Sequence, residues 1–402
     1  MRLRQVSSSK IYKCPTCNTP GMSIFYRVEN VPVSSSLLCS DLNEAMNFPT
    51  GKVVLGFCRT CGLISNLGFD PLKLDYSSLT PEEQGFSTTF NTFAQKLAIR
   101  LIETHNLRGK RICEIGCGRG DFLALMCEIG DNWGVGIDPS FVVGDIAQSK
   151  AKERLTFIRD YYSKHHAEHL GNMVVCRHTL EHIHNTAEFM RSVRQGIGDN
   201  LGTSVYFEVP DVTRILREVA FWDIYYEHCS YFCLGSLARL LRLCGFDVTN
   251  LLRDYFDQYL LVEAMPVNGK STKVFDAEES VDQMAKEVDY FSAKCREKLD
   301  FWRKQLHEIK AEEKKAIVWG SGSKCVGFMT TLKVEAEIKY VVDINPRRHG
   351  KFIPGVGKQI MAPEFLKLYK PDTVIVMNPV YTNEIKKTLD SMGLTADLLP
   401  CS

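Results

Sequence analysis

The chain has 402 residues, 45% of them hydrophobic, and 49 lysines and arginines against 48 acids leave a net charge of +1. That length and composition fit two or three globular domains with real cores, and the charge balance excludes a protein built to track nucleic-acid phosphates. No apolar run approaches the roughly 18 residues of a membrane span, and M-R-L-R-Q-V-S-S-S-K at the start lacks the apolar segment of a secretory signal, so a cytoplasmic protein with reduced cysteines is expected.

Four of the 15 cysteines stand apart: Cys14 and Cys17 in C-P-T-C, and Cys58 and Cys61 in C-R-T-C-G. Two such turns supply four thiolates to a tetrahedral Zn2+, and a segment of about 60 residues needs that staple because its own core is small. Four sulfur ligands leave no open position for water, so the ion would be structural. A redox pair or unligated thiols are the alternatives. Residues 1–75 are read as this zinc-binding module.

A polar stretch, Asp75 to Gln84, opens the second domain, expected over 76–270. Phe90, Phe93, Leu97, Leu101 and Ile102 give Phe86 to Leu107 the period of a helix packed on a sheet. Lys110 to Phe122 (K-R-I-C-E-I-G-C-G-R-G-D-F) then reads as strand, glycine turn and helix, with Gly116, Gly118 and Gly120 letting backbone approach a ligand at a helix N-terminus. The third glycine comes one residue early for a dinucleotide fingerprint, which disfavours a diphosphate. Trp133 to Pro139 reads as the next strand, ending in Asp138, an acid placed for ribose hydroxyls. With Glu114 inside the turn, the stretch resembles motif I of the class I methyltransferases, which bind S-adenosylmethionine; a purely structural turn is the alternative.

Strands at Thr156 to Ile158, Met173 to Val175 and Ser204 to Val209 continue the alternation and argue a parallel α/β sheet with crossover helices. Asp160 stands where the class places an adenine-contacting acid, or is a solvated loop acid. The fourth strand leads into V-V-C-R-H-T-L-E-H-I, at the strand end where ligands sit in open sheets. His178 and His182 lie four apart, but the H-E-x-x-H pattern and an evident third ligand are missing, so a metal is the minor alternative and one of the two histidines is read as facing the transferring methyl. Phe221 to Phe232 (F-W-D-I-Y-Y-E-H-C-S-Y-F) sets six aromatics around Glu227 and His228. His228 is either a buried core imidazole or a general base beside a carboxylate.

Residues 271–402 are expected to form a third unit. Asp276 to Lys315 carries Val281, Met284, Val288, Phe291, Cys295, Leu299 and Trp302 at helical spacing, a long amphipathic helix that packs across domains or pairs subunits. Ala316 to Gly327 (A-I-V-W-G-S-G-S-K-C-V-G) begins a second strand, glycine turn and helix, and Ile338 to Asp343 and Thr373 to Met377 extend it as a Rossmann-like domain. Gly320, Gly322 and Lys324 mark an anion site or a structural turn.

Taken together, the four-cysteine module, the methyltransferase core, Tyr225-Tyr226-Glu227-His228 and V-D-I-N-P-R-R-H-G-K-F-I-P-G resemble the sugar C-methyltransferases that act on nucleotide-linked ketodeoxysugars. The resemblance covers nearly the whole chain. It implies an S-adenosylmethionine-binding middle domain, zinc on the N-terminal cysteines, a C-terminal domain that helps enclose the substrate, and His228 as base with Glu227, Tyr225 and His182 beside it. The chain departs from the family pattern at Tyr255 to Leu261, where a glycine pair is usual, at Met377 to Tyr381, and at the entry to the middle domain, where Tyr76 or Phe86 takes the aromatic place. The expected function is C-methylation next to a ketone through an enolate, with Glu114, Gly116, Gly118, Gly120, Asp138, Asp160 and His178 toward the cofactor. The alternatives are O- or N-methylation of another small-molecule natural product, or a non-enzymatic assembly protein. The partners expected are a nucleotide sugar and, at most, a second copy of the chain, with no nucleic acid and no membrane.

Overall fold

The computed structural model describes residues 11–78, 85–142, 145–334 and 336–402; the first ten residues and the end of the polar stretch before Gly85 lie outside them. In chain order, β1 (Ser23–Pro32), β2 (Thr50–Phe57) and β3 (Ile64–Asn66) form an antiparallel sheet. Val53, Val54, Leu55 and Phe57 bury β2, a β-branched and aromatic run suited to a covered strand.

The middle sheet is built from β4 (Arg111–Ile115), β5 (Trp133–Ile137), β6 (Leu155–Ile158), β7 (Met173–Arg177) and β8 (Ser204–Pro210). These five run parallel to one another, as short apolar runs covered on both faces require. After the two-residue β9 (Ser230–Tyr231), an antiparallel hairpin of β10 (Phe246–Asp254) and β11 (Tyr259–Pro266) completes the order β10-β11-β8-β7-β4-β5-β6. Strand order reverses on either side of β4, and the crevice at such a switch point is where open α/β sheets hold ligands. The hairpin adds what strand-by-strand periodicity did not resolve, and its turn holds Tyr255, Phe256 and Asp257 at positive φ.

The third sheet, β12 (Ala316–Trp319), β13 (Tyr340–Val342), β14 (Ile360–Met361), β15 (Thr373–Val376) and β16 (Asp397–Pro400), is wholly parallel in the order β14-β13-β12-β15-β16. A second switch point therefore lies at the end of β12. The helix Val281–Ala311 starts from a capping box of Ser280 and Gln283. Its buried Met284, Val288, Phe291, Trp302 and Leu306 share one core with Leu55 and Phe57 of β2 and with Phe328 and Met329 of the helix Ser323–Leu332. Phe291 meets Tyr26 edge-on at 5.5 Å and Trp302 meets Phe328 at 5.1 Å, so this helix ties the first sheet to the third.

The N-terminal module is not a separate bead. β9 pairs with β3, Ile64 opposite Tyr231 and Ser65 opposite Ser230, so the segment that follows His228 is the fourth strand of the first sheet. Among the described residues no helix is long and apolar enough to cross a membrane.

Candidate active site

At the end of β4 the chain turns through Gly116 at φ +73°, where a Cβ would lie 2.0 Å from Thr179 Oγ1; only glycine fits. Gly120, at φ +81°, caps the helix Asp121–Gly130 and packs against Phe157 and Ile146 behind the turn. The Asp138 carboxylate, at the end of β5, accepts from the Gly118 N–H at 2.8 Å and from the Ser140 N–H and hydroxyl at 2.7 and 2.6 Å. Glu114 is buried, 3% exposed, and its Oε2 finds no hydrogen-bond partner among the described residues. Burial, only partly opposed by the Arg177 charge, pushes its carboxyl up to about 8.

An unsatisfied buried acid beside a cavity is an acceptor that a cation completes, and S-adenosylmethionine carries an ammonium and a sulfonium. The residues present therefore fit that group. One prediction concerns Glu114 itself. Between the unfolded carboxyl value of about 4.3 and about 8, the native protein holds a proton on Glu114 that the unfolded chain has lost, so this group makes stability fall as pH rises through that window. Glu114→Gln should therefore melt no lower than wild type at pH 8, yet bind S-adenosylmethionine at least tenfold more weakly by calorimetry. Wild-type binding at pH 7 should release a proton, seen as a dependence of heat on buffer ionisation enthalpy.

Beneath the turn lies a buried charge network. Glu208 of β8, fully buried, accepts from Arg177 Nη2 and Nε at 2.8 and 3.1 Å and from the Tyr206 hydroxyl at 2.7 Å, and its Oε1 lies 2.8 Å from His178 Nε2. Arg177 also stands over the Phe122 ring at 4.0 Å. His178 sits at φ +47°. Burial opposes its charge, but the Glu181 and Glu208 carboxylates prevail and raise it to about 9. His178 thus lines the cavity as an imidazolium held from below. Asp160 does not join the site: it is exposed, takes the Tyr161 N–H at 2.8 Å and faces His166 at 3.4 Å, so the solvated loop acid describes it. The turn after β6 directs it outward, and Tyr161 lines the cavity instead.

The opposite wall is the segment before β9. The His228 ring lies 4.5 Å from Tyr225 and 4.8 Å from His182, centroid to centroid, both edge-on. Burial and the neighbouring His182 hold its imidazole well below the usual range, so it is neutral near pH 7. Glu227 is turned toward the N-terminal module: its carboxylate accepts from the Ser35 N–H at 2.9 Å, the Ser34 hydroxyl at 3.2 Å and the Ser35 hydroxyl. Expected to hold or tune His228, Glu227 anchors the loop that carries it. Asn66 Nδ2 donates to the Tyr226 carbonyl at 3.3 Å, and the Asn66 N–H and Ser65 hydroxyl reach the Cys229 carbonyl at 3.0 and 2.8 Å. Tyr76 stands beside His182, its hydroxyl 3.3 Å from Nδ1, and Phe86 lines the same cavity.

The third wall comes from the C-terminal sheet. Asp343, at the end of β13, takes the Ser321 N–H and hydroxyl at 2.8 and 2.6 Å, repeating the relation of Asp138 to its own glycine turn. Lys324 and Arg214 both pair with Asp223, which also accepts from the Tyr225 hydroxyl at 3.1 Å. The two segments that depart from the family pattern meet here: the Tyr255 and Tyr381 hydroxyls are 2.7 Å apart and Gln258 exchanges hydrogen bonds with Asn378. Glu384 accepts from the Thr89 N–H at 2.8 Å and the Thr88 hydroxyl at 2.7 Å, fixing the start of the helix Thr88–Thr104. The three walls enclose one cavity of about 1390 Å³. That exceeds the roughly 300–1,000 Å³ of a single small-ligand pocket, so a cofactor and a second substrate fit together.

Away from the cavity, the sulfurs of Cys14 and Cys61 lie 3.5 Å apart, as do those of Cys17 and Cys58, and all four are within 4.8 Å of one another. A tetrahedral zinc with Zn–S bonds of about 2.3 Å has S···S edges of about 3.8 Å; the donor set fits that ion. Arg239 Nε donates to the Cys61 carbonyl at 2.9 Å and Thr16 meets Thr186 at 2.9 Å, which ties the cysteine turns to the middle domain.

Residues 89–251 match the methyltransferase domain family and residues 264–395 the C-methyltransferase C-terminal domain family. The C-methyltransferase NovU of Streptomyces niveus is 25% identical over 301 residues, 69% of this chain and 68% of that protein. The ubiquinone biosynthesis O-methyltransferase of Shewanella pealeana is 31% identical over 114 residues, 27% of this chain and 46% of that protein. Among solved structures, the N,N-8-amino-8-demethyl-D-riboflavin dimethyltransferase of Streptomyces davawensis aligns with TM-score 0.36 and 18% identity over 44% of this chain and 56% of its own.

Proposed function

The chain belongs to the S-adenosylmethionine-dependent C-methyltransferases, and from that premise we propose that it methylates a carbon next to a ketone, on a nucleotide-linked deoxysugar, with His228 as the base. The observation that carries this reading is a neutral imidazole in the cavity wall, packed between Tyr225 and His182. S-adenosylmethionine, when bound, supplies an electrophilic methyl group. Glu114, Gly116, Gly118 and Asp138 would hold it, Asp138 with lone pairs left for ribose hydroxyls. Carbon becomes a nucleophile only when an α-proton is removed and the developing enolate is stabilised. His228 takes that proton, and the buried Asp223 nearby favours the imidazolium that forms. The Tyr76 hydroxyl stands on the cavity wall as a donor for the enolate oxygen, while Tyr225, whose proton goes to Asp223, packs against the His228 ring. His182 Nδ1 lies 3.2 Å from the Glu227 carbonyl, which only accepts, so its proton is there and its other nitrogen presents a lone pair. His182 therefore orients the loop and is not the oxyanion donor in its neutral form.

Lys324 and Arg348 of the C-terminal wall, with Arg214 of the middle domain, line the cavity as cationic groups for a diphosphate, Lys324 and Arg214 sharing Asp223 between them. A thermal-shift screen tests cofactor and substrate class together. S-adenosylhomocysteine at about 100 times its Kd should stabilise by about 2.7 kcal/mol, and a nucleoside diphosphate ketodeoxysugar should add a second shift. No shift with S-adenosylhomocysteine contradicts the cofactor reading; a second shift only with metabolites lacking a nucleotide favours the O- or N-methylation alternative.

Structural zinc on Cys14, Cys17, Cys58 and Cys61 belongs to the same proposal. Metal analysis should return about one zinc per chain, and Cys58→Ser should lose it. Because β3 braces β9 beside His228, the variant should also lose up to about 10²-fold in kcat, the scale of a misplaced catalytic group. Full activity in zinc-free protein is the contrary result.

A further inference from the structure

One group in the catalytic wall is left over by this chemistry. Glu181 is 2% exposed, and its Oε2 is without a hydrogen-bond partner among the described residues. Its other oxygen, Oε1, is ion-paired with the His178 imidazolium, 3.7 Å from Nδ1 and beyond hydrogen-bond reach. A buried carboxylate oxygen left bare costs free energy unless something completes it. Its neighbours supply what completes it: one carboxylate oxygen of Glu181 and one ring nitrogen each of His182 and His228 lie within 4.8 Å of one another. His182 is held in one tautomer by the Glu227 carbonyl, the device that orients ligating imidazoles in metal centres. All three residues line the cavity.

We propose that Glu181, His182 and His228 form a divalent transition-metal site, distinct from the four-cysteine site, with two imidazoles and one carboxylate as ligands and an open side toward the cavity. Three N and O donors with an open position suit Zn2+ or Co2+. Resting on the reading of His228 as base, the consequence is regulatory. An ion on this triad takes the His228 lone pair, so the enzyme is reversibly inhibited by the metal and restored by a chelator that leaves the cysteine site filled.

Two measurements separate the site from its consequence. Zinc-loaded protein is titrated with Co2+ and followed by absorption. A second equivalent should bind with ligand-field bands and no added thiolate charge transfer, and both Glu181→Gln and His182→Gln should weaken it at least tenfold while circular dichroism reports an unchanged fold. Binding of one metal only, or a second equivalent unaffected by both variants, overturns the site. In the second measurement, solvent-deuterium exchange into a nucleoside diphosphate ketodeoxysugar is followed with S-adenosylhomocysteine present. Exchange that proceeds in chelated protein and stops at the second equivalent supports both ideas. Binding of the second equivalent with exchange unimpaired keeps the site and removes His228 as base; unimpaired exchange without any second binding does the reverse.

Discussion

His228→Ala is expected to lower kcat by about 10²–10⁴-fold, the worth of a positioned general base, while the Kd for S-adenosylmethionine changes less than about twofold. The separation follows from where the groups sit. The cofactor contacts assigned to Glu114, Gly116, Gly118 and Asp138 belong to the ends of β4 and β5, whereas His228 rides on a loop braced by Ser34, Ser35, Ser65 and Asn66. The loop keeps these backbone and Glu227 contacts when the imidazole is removed, so the pocket remains and only proton transfer is lost. Steady-state kinetics paired with calorimetry checks both halves. Retained kcat would remove His228 as base, and a parallel loss of cofactor affinity would mean that it shapes the cofactor pocket instead.

The largest effect on stability is expected at Glu208. Glu208→Ala leaves the buried Arg177 without its bidentate partner, and breaking a buried pair on one side costs about 3–5 kcal/mol. At about 2–4 °C per kcal/mol for a domain of this size, melting should fall by roughly 6–20 °C. Replacing both partners, as in Arg177→Met with Glu208→Met, should cost less than Glu208→Ala, because no uncompensated charge remains. The pH dependence has a definite sign. Burial pushes the Glu208 carboxyl up, but Arg177 and His178 outweigh it and hold it well below the usual range, so its contribution is present above about pH 4.3 and is lost as pH falls through the folded value. His178 is raised to about 9, so its share is complete below about 6.5 and is lost as pH rises through 9. The gap between wild type and Glu208→Ala should therefore be widest between about pH 5 and 6.5 and narrow on both sides. A gap independent of pH would assign the loss to packing alone.

What the sequence made legible was local. The glycine turn with its flanking strand and helix, the acid at the end of the next strand, the paired cysteines and the second strand–turn–helix at Ala316 each write their geometry within about 30 residues. What it left out spans the chain. Nothing in V-S-S-S at 33–36 announces that two serines hold Glu227, 192 and 193 residues on; adjacency in sequence pointed only to the neighbouring His228. The orientation of Asp160 depends on a turn after β6 that carries no periodic signal. The pairing of β9 with β3 was hidden because two residues are too few to show alternation. The departures at Tyr255 to Leu261 and Met377 to Tyr381, read as separate changes, proved to be one contact between the middle and third sheets.

Transfer of a methyl group to carbon is the claim on which the rest depends. Protein supplied with methyl-labelled S-adenosylmethionine and a panel of nucleoside diphosphate ketodeoxysugars should yield a product whose labelled methyl is bonded, by NMR, to the carbon next to the ketone, with the α-proton of that carbon lost to solvent. A labelled methyl on oxygen or nitrogen would contradict it.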